Sequence, residues 1–137
     1  MDQTFMMIKP DAVARNLVGD ILSRVEKAGL RIVRMRLLEL TAGEAREFYK
    51  VHEGKPFLDS LVAFMSSGPI VAAVLEGEGA VQRLAGVVGA TDPAKAEPGT
   101  IRRDFGLNIE KNSVHRSDAA ETAAAEIRFF NLGFSLR

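Results

Sequence analysis

The apolar run I-V-A-A-V-L at residues 70–75 constrains the fold more than any other stretch of this chain. Because it contains no polar side chain, it is typical of a strand that is buried on both faces of a sheet. Residues 4–8 form a second short apolar run, and Pro10 ends it. The sequence therefore predicts two buried strands far apart in the chain.

Residues 30–40 predict a third strand with a different pattern. Val33, Met35 and Leu37 face one way in this strand, while Arg34 and Arg36 face the other. We interpret the arginine row as a solvated sheet edge or as a contact between subunits.

Helical spacing predicts helices between and after these strands. Residues 18–28 place apolar side chains on one face, and Gly29 ends that helix. Thr41 and Glu44 form a capping box that opens the next helix. Further helices are predicted at residues 57–66, at residues 79–88, and from Ser117 or Asp118 onward. Residues 89–111 lose the periodicity, which predicts a long functional loop.

Composition excludes several classes of protein. The 137 residues fit a single domain, 1–137, and the absence of cysteine excludes disulfides, thiol catalysis and Cys-type zinc sites. Eighteen basic and eighteen acidic side chains cancel, so the chain lacks the basic field of a dedicated nucleic-acid binder. No apolar run approaches the ~20 residues of a membrane span or fits a signal peptide. We expect a cytoplasmic protein that binds no membrane and no specific nucleic acid.

His115 lies in the motif N-S-V-H-R-S-D at residues 112–118, just before the last predicted helix. Helix starts attract anions, so a histidine there suits work on phosphate. On that helix Glu126 shares an apolar face with Ala123 and Phe130. An unpaired buried carboxylate costs several kcal/mol. Glu126 therefore needs a partner, for which His115 is the candidate, unless it lies at the wet edge of the face.

The common phosphate-binding motifs are absent, so side chains and helix ends would have to hold a phosphate. Lys9, Arg102 and Arg103 are the leading cations. A neutral imidazole is a capable nucleophile, and a carboxylate on its other nitrogen would fix its tautomer. These residues favour a phosphoryl-transfer enzyme that uses His115.

The other candidates also have plain structural interpretations. Lys9, at a strand end, is otherwise a solvated lysine. Tyr49, the single tyrosine, is by default a half-buried aromatic with its hydroxyl outside. His52 has no activating neighbour apart from the adjacent Glu53, and we interpret it as structural.

The chain resembles the nucleoside diphosphate kinase family in motifs that follow one another in family order. They are T-F-M-M-I-K-P-D-A-V, F-Y-K-V-H, K-P-F-L, F-M-S-S-G-P-I-V, G-A-T-D-P, P-G-T-I-R-R-D-F and N-S-V-H-R-S-D, and they span about the first 130 residues. The resemblance implies an α/β (α+β) fold of the ferredoxin-like type, with a four-stranded antiparallel sheet covered by helices. It also implies a homo-oligomer, tetramer or hexamer, that moves the γ-phosphate of a nucleoside triphosphate, mainly ATP, to a nucleoside diphosphate.

The resemblance assigns roles to individual residues. His115 is the nucleophile of a ping-pong cycle, phosphorylated on a ring nitrogen, and Glu126 orients it. Phe57 stacks on the base, which explains indifference to base identity. The other matches are Lys9 and Asn112 for the phosphates and sugar hydroxyl, Tyr49 near the phosphohistidine, Thr91 and Arg102 for the phosphates, and Ser117 beside the catalytic pair. Mg²⁺ is expected to travel with the nucleotide, with no protein side chain assigned as its ligand.

Three features depart from the family pattern. Ala85 occupies the place of a phosphate-binding arginine, and Arg83, two residues earlier, points roughly 200° away on a helix. Arg116 replaces the glycine after the histidine, so it is strained, compensates for Ala85 or obstructs the nucleotide. The tail F-F-N-L-G-F-S-L-R is shorter than the usual family ending and unlike it, which bears on subunit packing.

Two rival functions follow from these departures and from the charged strand. Ala85 and Arg116 would suit a nucleotide-binding scaffold that keeps the fold but has little activity. The row of Arg34 and Arg36 favours a nucleic-acid-binding module, and the neutral net charge opposes it.

Overall fold

Four strands form one antiparallel sheet within residues 2–131, the part of the chain that this computed structural model describes. They are β1 (Asp2–Ile8), β2 (Arg31–Leu38), β3 (Ile70–Gly77) and β4 (Val114–Arg116). Their order across the sheet is β2–β3–β1–β4, so the two apolar strands lie in the middle. The buried strand predicted at residues 70–75 is confirmed, because every residue from Ile70 to Leu75 is buried.

Helices cover both faces of this sheet. They are α1 (Pro10–Ala14), α2 (Val18–Lys27), α3 (Ala42–Phe48), α4 (Leu58–Met65), α5 (Ala80–Val88), α6 (Ile101–Phe105) and α7 (Ala120–Phe129). The capping box of Thr41 and Glu44 is confirmed, with both of its hydrogen bonds present. Gly29 follows α2 with a φ of 94°, as a helix-ending glycine should. The expected ferredoxin-like arrangement is confirmed.

The core has two parts, one on each face of the sheet. Met7 of β1 packs with α3, α4 and α7, whereas Met6 and Ile8 pack with α1, α2, α5 and α6. This division follows from the two-residue period of a strand. In the β1–β4 pair His115 lies opposite Met7, and Val114 lies opposite Ile8. His115 therefore faces the α7 side of the sheet.

Strand β2 differs from its predicted pattern because of a bulge at Val33, between Ile32 and Arg34. A bulge adds one residue to a strand, so the alternation changes face beyond it. Val33 packs with the α3–α4–α7 core, while Met35 and Leu37 lie on the opposite face, 48% and 69% exposed. The prediction that these three side chains share one face is wrong for this reason.

Three short elements go beyond what the sequence patterns predict. Helix α1 starts directly at Pro10, where the fixed φ of proline suits a first helical position. Helix α6 lies inside the predicted loop at residues 89–111, and Thr100 caps it. Strand β4 lies inside the histidine motif. All three are too short to show a periodicity.

The last helix starts later than predicted. It begins at Ala120, so the prediction of Ser117 or Asp118 as its cap is wrong. The Ser117 hydroxyl does not cap this helix. It donates a hydrogen bond to the carboxylate of Glu126, which lies within the helix. The atypical tail falls mostly on residues 132–137, which lie outside the described part of the chain.

Candidate active site

His115, Glu126 and Ser117 form one hydrogen-bonded group between β4 and α7. Nε2 of His115 lies 2.9 Å from Oε1 of Glu126, and Oγ of Ser117 donates to the same oxygen at 2.6 Å. The partner predicted for Glu126 is therefore present, and the Glu126 side chain is only 15% exposed. Because a carboxylate only accepts hydrogen bonds, Nε2 is the nitrogen that carries the proton in this contact, and no described residue hydrogen-bonds to Nδ1.

Aromatic rings pack against the imidazole of His115. Phe48 and Tyr49 meet it edge-on, with ring centroids 5.3 and 6.1 Å from that of the histidine. The Tyr49 hydroxyl is buried and has no hydrogen-bond partner among the described residues, so the prediction of an outward hydroxyl is wrong. Burial, and then the negative charge of Glu126, raises the pKa of Tyr49 well above its usual value. Tyr49 is a neutral phenol beside the imidazole.

Lys9 is buried at the end of β1, so its interpretation as a solvated lysine is wrong. Its Nζ donates to Oδ1 of Asn112 at 2.9 Å and to the carbonyl of Glu110 at 3.2 Å, which leaves one N–H for a ligand. Asn112 is held in turn, because its Nδ2 donates to the carbonyl of Thr91 at 2.9 Å. Burial, and then the positive charge of Arg102, lowers the pKa of Lys9 to about 8.

Arg102 is anchored by backbone carbonyls. Its Nη2 donates to Val114 at 2.9 Å and its Nη1 to Gly89 at 3.2 Å, while its Nε is buried without a partner among the described residues. Gly89 has a φ of 90°, and a Cβ there would lie 2.6 Å from the Thr100 hydroxyl, so this turn requires glycine. Burial, and then the charge of Arg116, lowers the pKa of Arg102 to about 10, which still leaves it charged at neutral pH.

These groups open into one cleft of about 450 Å³, which we name the central cleft. Its polar part is lined by Lys9, Thr91, Arg102, Asn112, His115 and Arg116. Tyr49 and Phe57 also line it, and Glu126 and Ser117 lie behind the histidine. The structure thus brings together every residue that the resemblance assigned to the site except Ala85. The prediction of Arg103 as a phosphate-binding cation is wrong, because Arg103 does not line the cleft and its Nη1 donates to the carbonyl of Ala96 at 2.9 Å.

The other end of the central cleft is aromatic and open. Phe57 is 45% exposed, and the ring of His52 lies 5.1 Å from it, between Phe57 and Tyr49. Ile109, which is 60% exposed, lines the same end. Interpreting His52 as structural missed this position, although its three-residue spacing from Tyr49 could have indicated it. Burial, and then the charge of Lys55, lowers the pKa of His52.

The two departures near the central cleft have separate outcomes. Ala85 lies on α5 and does not line the cleft. Arg83 turns away, as predicted, because it donates to the carbonyls of Ala28 and Glu78. Arg116 lies in β4 and has no positive φ, so backbone strain at this position is excluded. Its side chain lines the central cleft beside Arg102.

The arrangement combines a nucleophilic nitrogen, a carboxylate that orients it, and buried cations beside it. That combination can hold an anionic group and accept it covalently. Within residues 2–131 no three His, Cys, Asp or Glu side chains gather as a metal site. No helix in this part of the chain has the length and apolar character to cross a membrane.

A profile of the family described as Nucleoside diphosphate kinase matches residues 2–133 of this chain. This chain belongs to the nucleoside diphosphate kinase family. The resemblance found in the motifs is confirmed, and membership of the nucleoside diphosphate kinase family makes the chain a kinase, a phosphotransferase that binds nucleotides.

Curated relatives in the nucleoside diphosphate kinase family match over nearly their whole length. The nucleoside diphosphate kinase of Leptothrix cholodnii is 54% identical over 136 residues, which cover 99% of this chain and 96% of the relative. That of Burkholderia ambifaria is 56% identical over 130 residues, which cover 95% of this chain and 92% of the relative.

Solved structures of nucleoside diphosphate kinases superpose closely on the described fold. The enzyme of Aquifex aeolicus has a TM-score of 0.92 at 43% identity and covers 98% of this chain and 95% of its own. The enzyme of Halobacterium salinarum in complex with CDP has a TM-score of 0.91 at 43% identity and covers 94% of this chain and 86% of its own.

Proposed function

We propose that this chain transfers the γ-phosphate of a nucleoside triphosphate, mainly ATP, to a nucleoside diphosphate through a phosphohistidine at His115. The contact of 2.9 Å between Nε2 of His115 and Glu126 carries the proposal, because it reserves Nδ1 for the chemistry. Family membership and the CDP complex of the Halobacterium salinarum relative support nucleotides as the substrates.

In the first half of the cycle Nδ1 of His115 attacks the γ-phosphorus. The N–P bond forms while the bond from phosphorus to the β–γ bridging oxygen breaks, and the electron pair leaves with the nucleoside diphosphate. The imidazole then carries a positive charge, which the Glu126 carboxylate at Nε2 stabilises. Ser117 holds that carboxylate in place through its hydroxyl.

In the second half the terminal phosphate oxygen of a different nucleoside diphosphate attacks the phosphohistidine. The N–P bond breaks, its electron pair returns to Nδ1, and His115 regains its starting state. One cleft lined by one set of groups suffices for both halves, because the two half-reactions are the same step in opposite directions.

Buried cations and donors balance the charge of the phosphates. Among the described residues nothing pairs with the third N–H of Lys9 or with Nε of Arg102, and both side chains line the central cleft. Asn112 and Thr91 are fixed to each other and would bind the sugar hydroxyl and a phosphate. Tyr49, as a neutral phenol, adds no negative charge beside His115.

Mg²⁺ enters this proposal as part of the substrate. The polar part of the central cleft offers cations and amides, and neither of its carboxylates, on Glu110 and Asp118, belongs to a cluster of three or more potential metal ligands among the described residues. Such a donor set fits an ion that would arrive with the nucleotide and not one held by protein carboxylates. Carried in that way, Mg²⁺ would supply positive charge against the phosphates.

Phosphate labelling tests the proposed reaction. The protein is incubated with γ-labelled ATP and Mg²⁺, quenched at alkaline pH, and then chased with GDP in a second sample. We expect an acid-labile label on the protein that moves to GTP during the chase, and no label on a His115→Asn variant. A protein that binds ATP but takes no label would instead be the nucleotide-binding scaffold.

We also propose a homo-oligomer, tetramer or hexamer, built from pairs that meet along β2. This strand is at the edge of the sheet, and beside it lies an apolar groove of about 520 Å³ lined in part by Met35, Leu37, Val18 and Val71. An exposed apolar edge of this kind promotes pairing of strands between chains. A second copy is the occupant that would complete both edges at once through a two-fold axis.

Light scattering on a size-exclusion column tests this assembly. We expect a mass of four or six chains, and a smaller species for a Leu37→Glu variant with an unchanged circular dichroism spectrum. A monomeric wild-type protein would overturn the assembly proposal without touching the chemistry. The single domain over residues 1–137 and the cytoplasmic location stay predictions.

A further inference from the structure

Arg116 is the cation of the central cleft that the proposed reaction leaves without a task. Its neighbour His115 faces α7, and successive residues of a strand face opposite sides, so Arg116 starts on the side of α5 and α6. From there it reaches the central cleft round the outer edge of β4, the last strand of the sheet. Its side chain is 23% exposed.

Both hydrogen bonds that Arg116 makes to described residues come from one guanidinium nitrogen, Nη1. Nη1 makes two long contacts, 3.4 Å to the carbonyl of Ser117 and 3.3 Å to the carboxylate of Asp118. Nε is buried without a partner, and Nη2 makes no hydrogen bond to any described residue. Nε and Nη2 present two parallel N–H groups, the fork that binds two oxygens of one phosphate.

The contact with Asp118 is too weak to explain the position of Arg116. The Asp118 side chain is 87% exposed, and a long contact to an exposed carboxylate adds little stability. A phosphate carries more negative charge than a carboxylate and offers two oxygens to the guanidinium. It therefore competes well with Asp118 for Arg116. The long contacts also leave the guanidinium free to turn about its Cδ–Nε bond.

The position of Arg102 also favours an anion beside Arg116. Arg102 and Arg116 line the same cleft, and the charge of Arg116 is close enough to lower the pKa of Arg102. Two guanidinium groups repel each other unless an anion lies between them. Each of the two also has a buried Nε without a described partner, and a ligand oxygen would remove that cost.

The α5 side of the central cleft offers no described cation that could take this place. Position 85 carries a methyl group, and the guanidinium of Arg83 is bound to Ala28 and Glu78. Arg116 therefore supplies the positive charge that α5 does not.

We propose that Arg116 binds a phosphate of the nucleotide together with Arg102, so that the two guanidinium groups form a paired anion site beside His115. This inference rests on the proposed function for the identity of the anion. The rival role for Arg116 is a tether that holds Asp118 and the start of α7.

Calorimetric titration with ADP, AMP and adenosine separates these two roles. The Arg116→Met variant keeps the apolar stem and loses the charge. We expect its affinity for ADP to fall about 10- to 100-fold, that for AMP to fall less, and that for adenosine to stay unchanged. Arg116→Lys, which keeps the charge but loses the fork, should lie between the wild type and Arg116→Met.

Two further variants serve as controls. Arg128→Met removes one positive charge from an exposed position on α7, and it measures the effect of net charge alone. Asp118→Asn removes the carboxylate charge, and with it the ion pair, but leaves the guanidinium in place. If Arg116 is a tether, Asp118→Asn lowers ADP affinity as much as Arg116→Met does; if Arg116 binds phosphate, it does not.

The proposal is overturned by any of three results: Arg116→Met binds ADP with wild-type affinity, its affinities for ADP and adenosine fall by the same factor, or Asp118→Asn lowers ADP affinity by as much as Arg116→Met does. If the affinities for ADP, AMP and adenosine change as expected but the protein never takes the phosphate label, the proposed reaction is refuted and the paired anion site is supported. A wild-type protein that binds none of the three ligands would overturn both.

Discussion

The two ends of the central cleft are built in opposite ways. At the histidine end His115, Ser117 and Lys9 each have a fixed partner, and distances of 2.6–2.9 Å join them to Glu126 or Asn112. At the other end the exposed ring of Phe57 meets the ring of His52 edge-on. One end is held rigidly in advance, and the other is an open aromatic surface.

The difference matches the demands of the proposed reaction. A transferring phosphoryl group needs donors and charges already in place, because reorganising them during the reaction raises the barrier. A base only needs a flat apolar ring to lie on, and every base has a flat face. We therefore expect variants of the His115–Glu126 pair to change turnover. Variants at the aromatic end, and of the cations that hold the phosphates, should change substrate affinity.

Glu126→Gln should have the largest effect of the three changes that follow. The amide keeps the size of the side chain but removes the charge that stabilises the imidazolium and sets its tautomer. We expect kcat to fall on the order of 10²–10³-fold in steady-state assays with ATP and GDP, with little change in KM. Ser117→Ala, which removes only the support, should cost less. A fall of less than threefold for Glu126→Gln would contradict the rigid-end interpretation.

Lys9 should make nucleotide affinity depend on pH. Burial lowers its pKa to about 8, so the ammonium is mostly charged below that pH and progressively loses its charge above it. A bound phosphate favours the charged form, so KM for ATP should rise by up to about tenfold per pH unit above pH 8. Rate measurements from pH 6.5 to 9.5 check this. In Lys9→Arg, whose charge persists, the rise should disappear, and its survival there would assign it to another group.

Phe57→Ala should have the smallest effect and leave kcat nearly unchanged. Loss of stacking on one aromatic ring should raise KM about tenfold, and by similar factors for purine and pyrimidine diphosphates. Competition assays between GDP and CDP check the second part. A kcat that falls as far as in Glu126→Gln would erase the distinction between the two ends.

The sequence predicts the contact between His115 and Glu126, because a buried carboxylate is under a strong chemical constraint. A carboxylate on the apolar face of a helix must find a partner, and Glu126 and His115 meet as that argument requires. The buried strands at residues 4–8 and 70–75 were equally predictable, since long apolar runs have few alternatives.

Other features depend on contacts that a linear pattern does not contain. The bulge at Val33 reverses the faces of Met35 and Leu37, and only the pairing with β3 reveals it. The buried hydroxyl of Tyr49 and the place of His52 result from the packing of α3 and α4 around the cleft. The backbone of Arg116 is unstrained because this residue lies in β4, a strand too short to be predicted from an alternating pattern.

The middle position of β1 in the sheet orders the events of synthesis. This strand is made first of the four, yet its partners β3 and β4 leave the ribosome much later, and Lys9 lies 103 residues before Asn112. Contacts so distant along the chain form slowly and late. A growing chain therefore cannot bring Lys9 to Asn112 before α6 and Asn112 itself have been made, and His115 follows later still, so each copy is catalytically silent for most of its own translation.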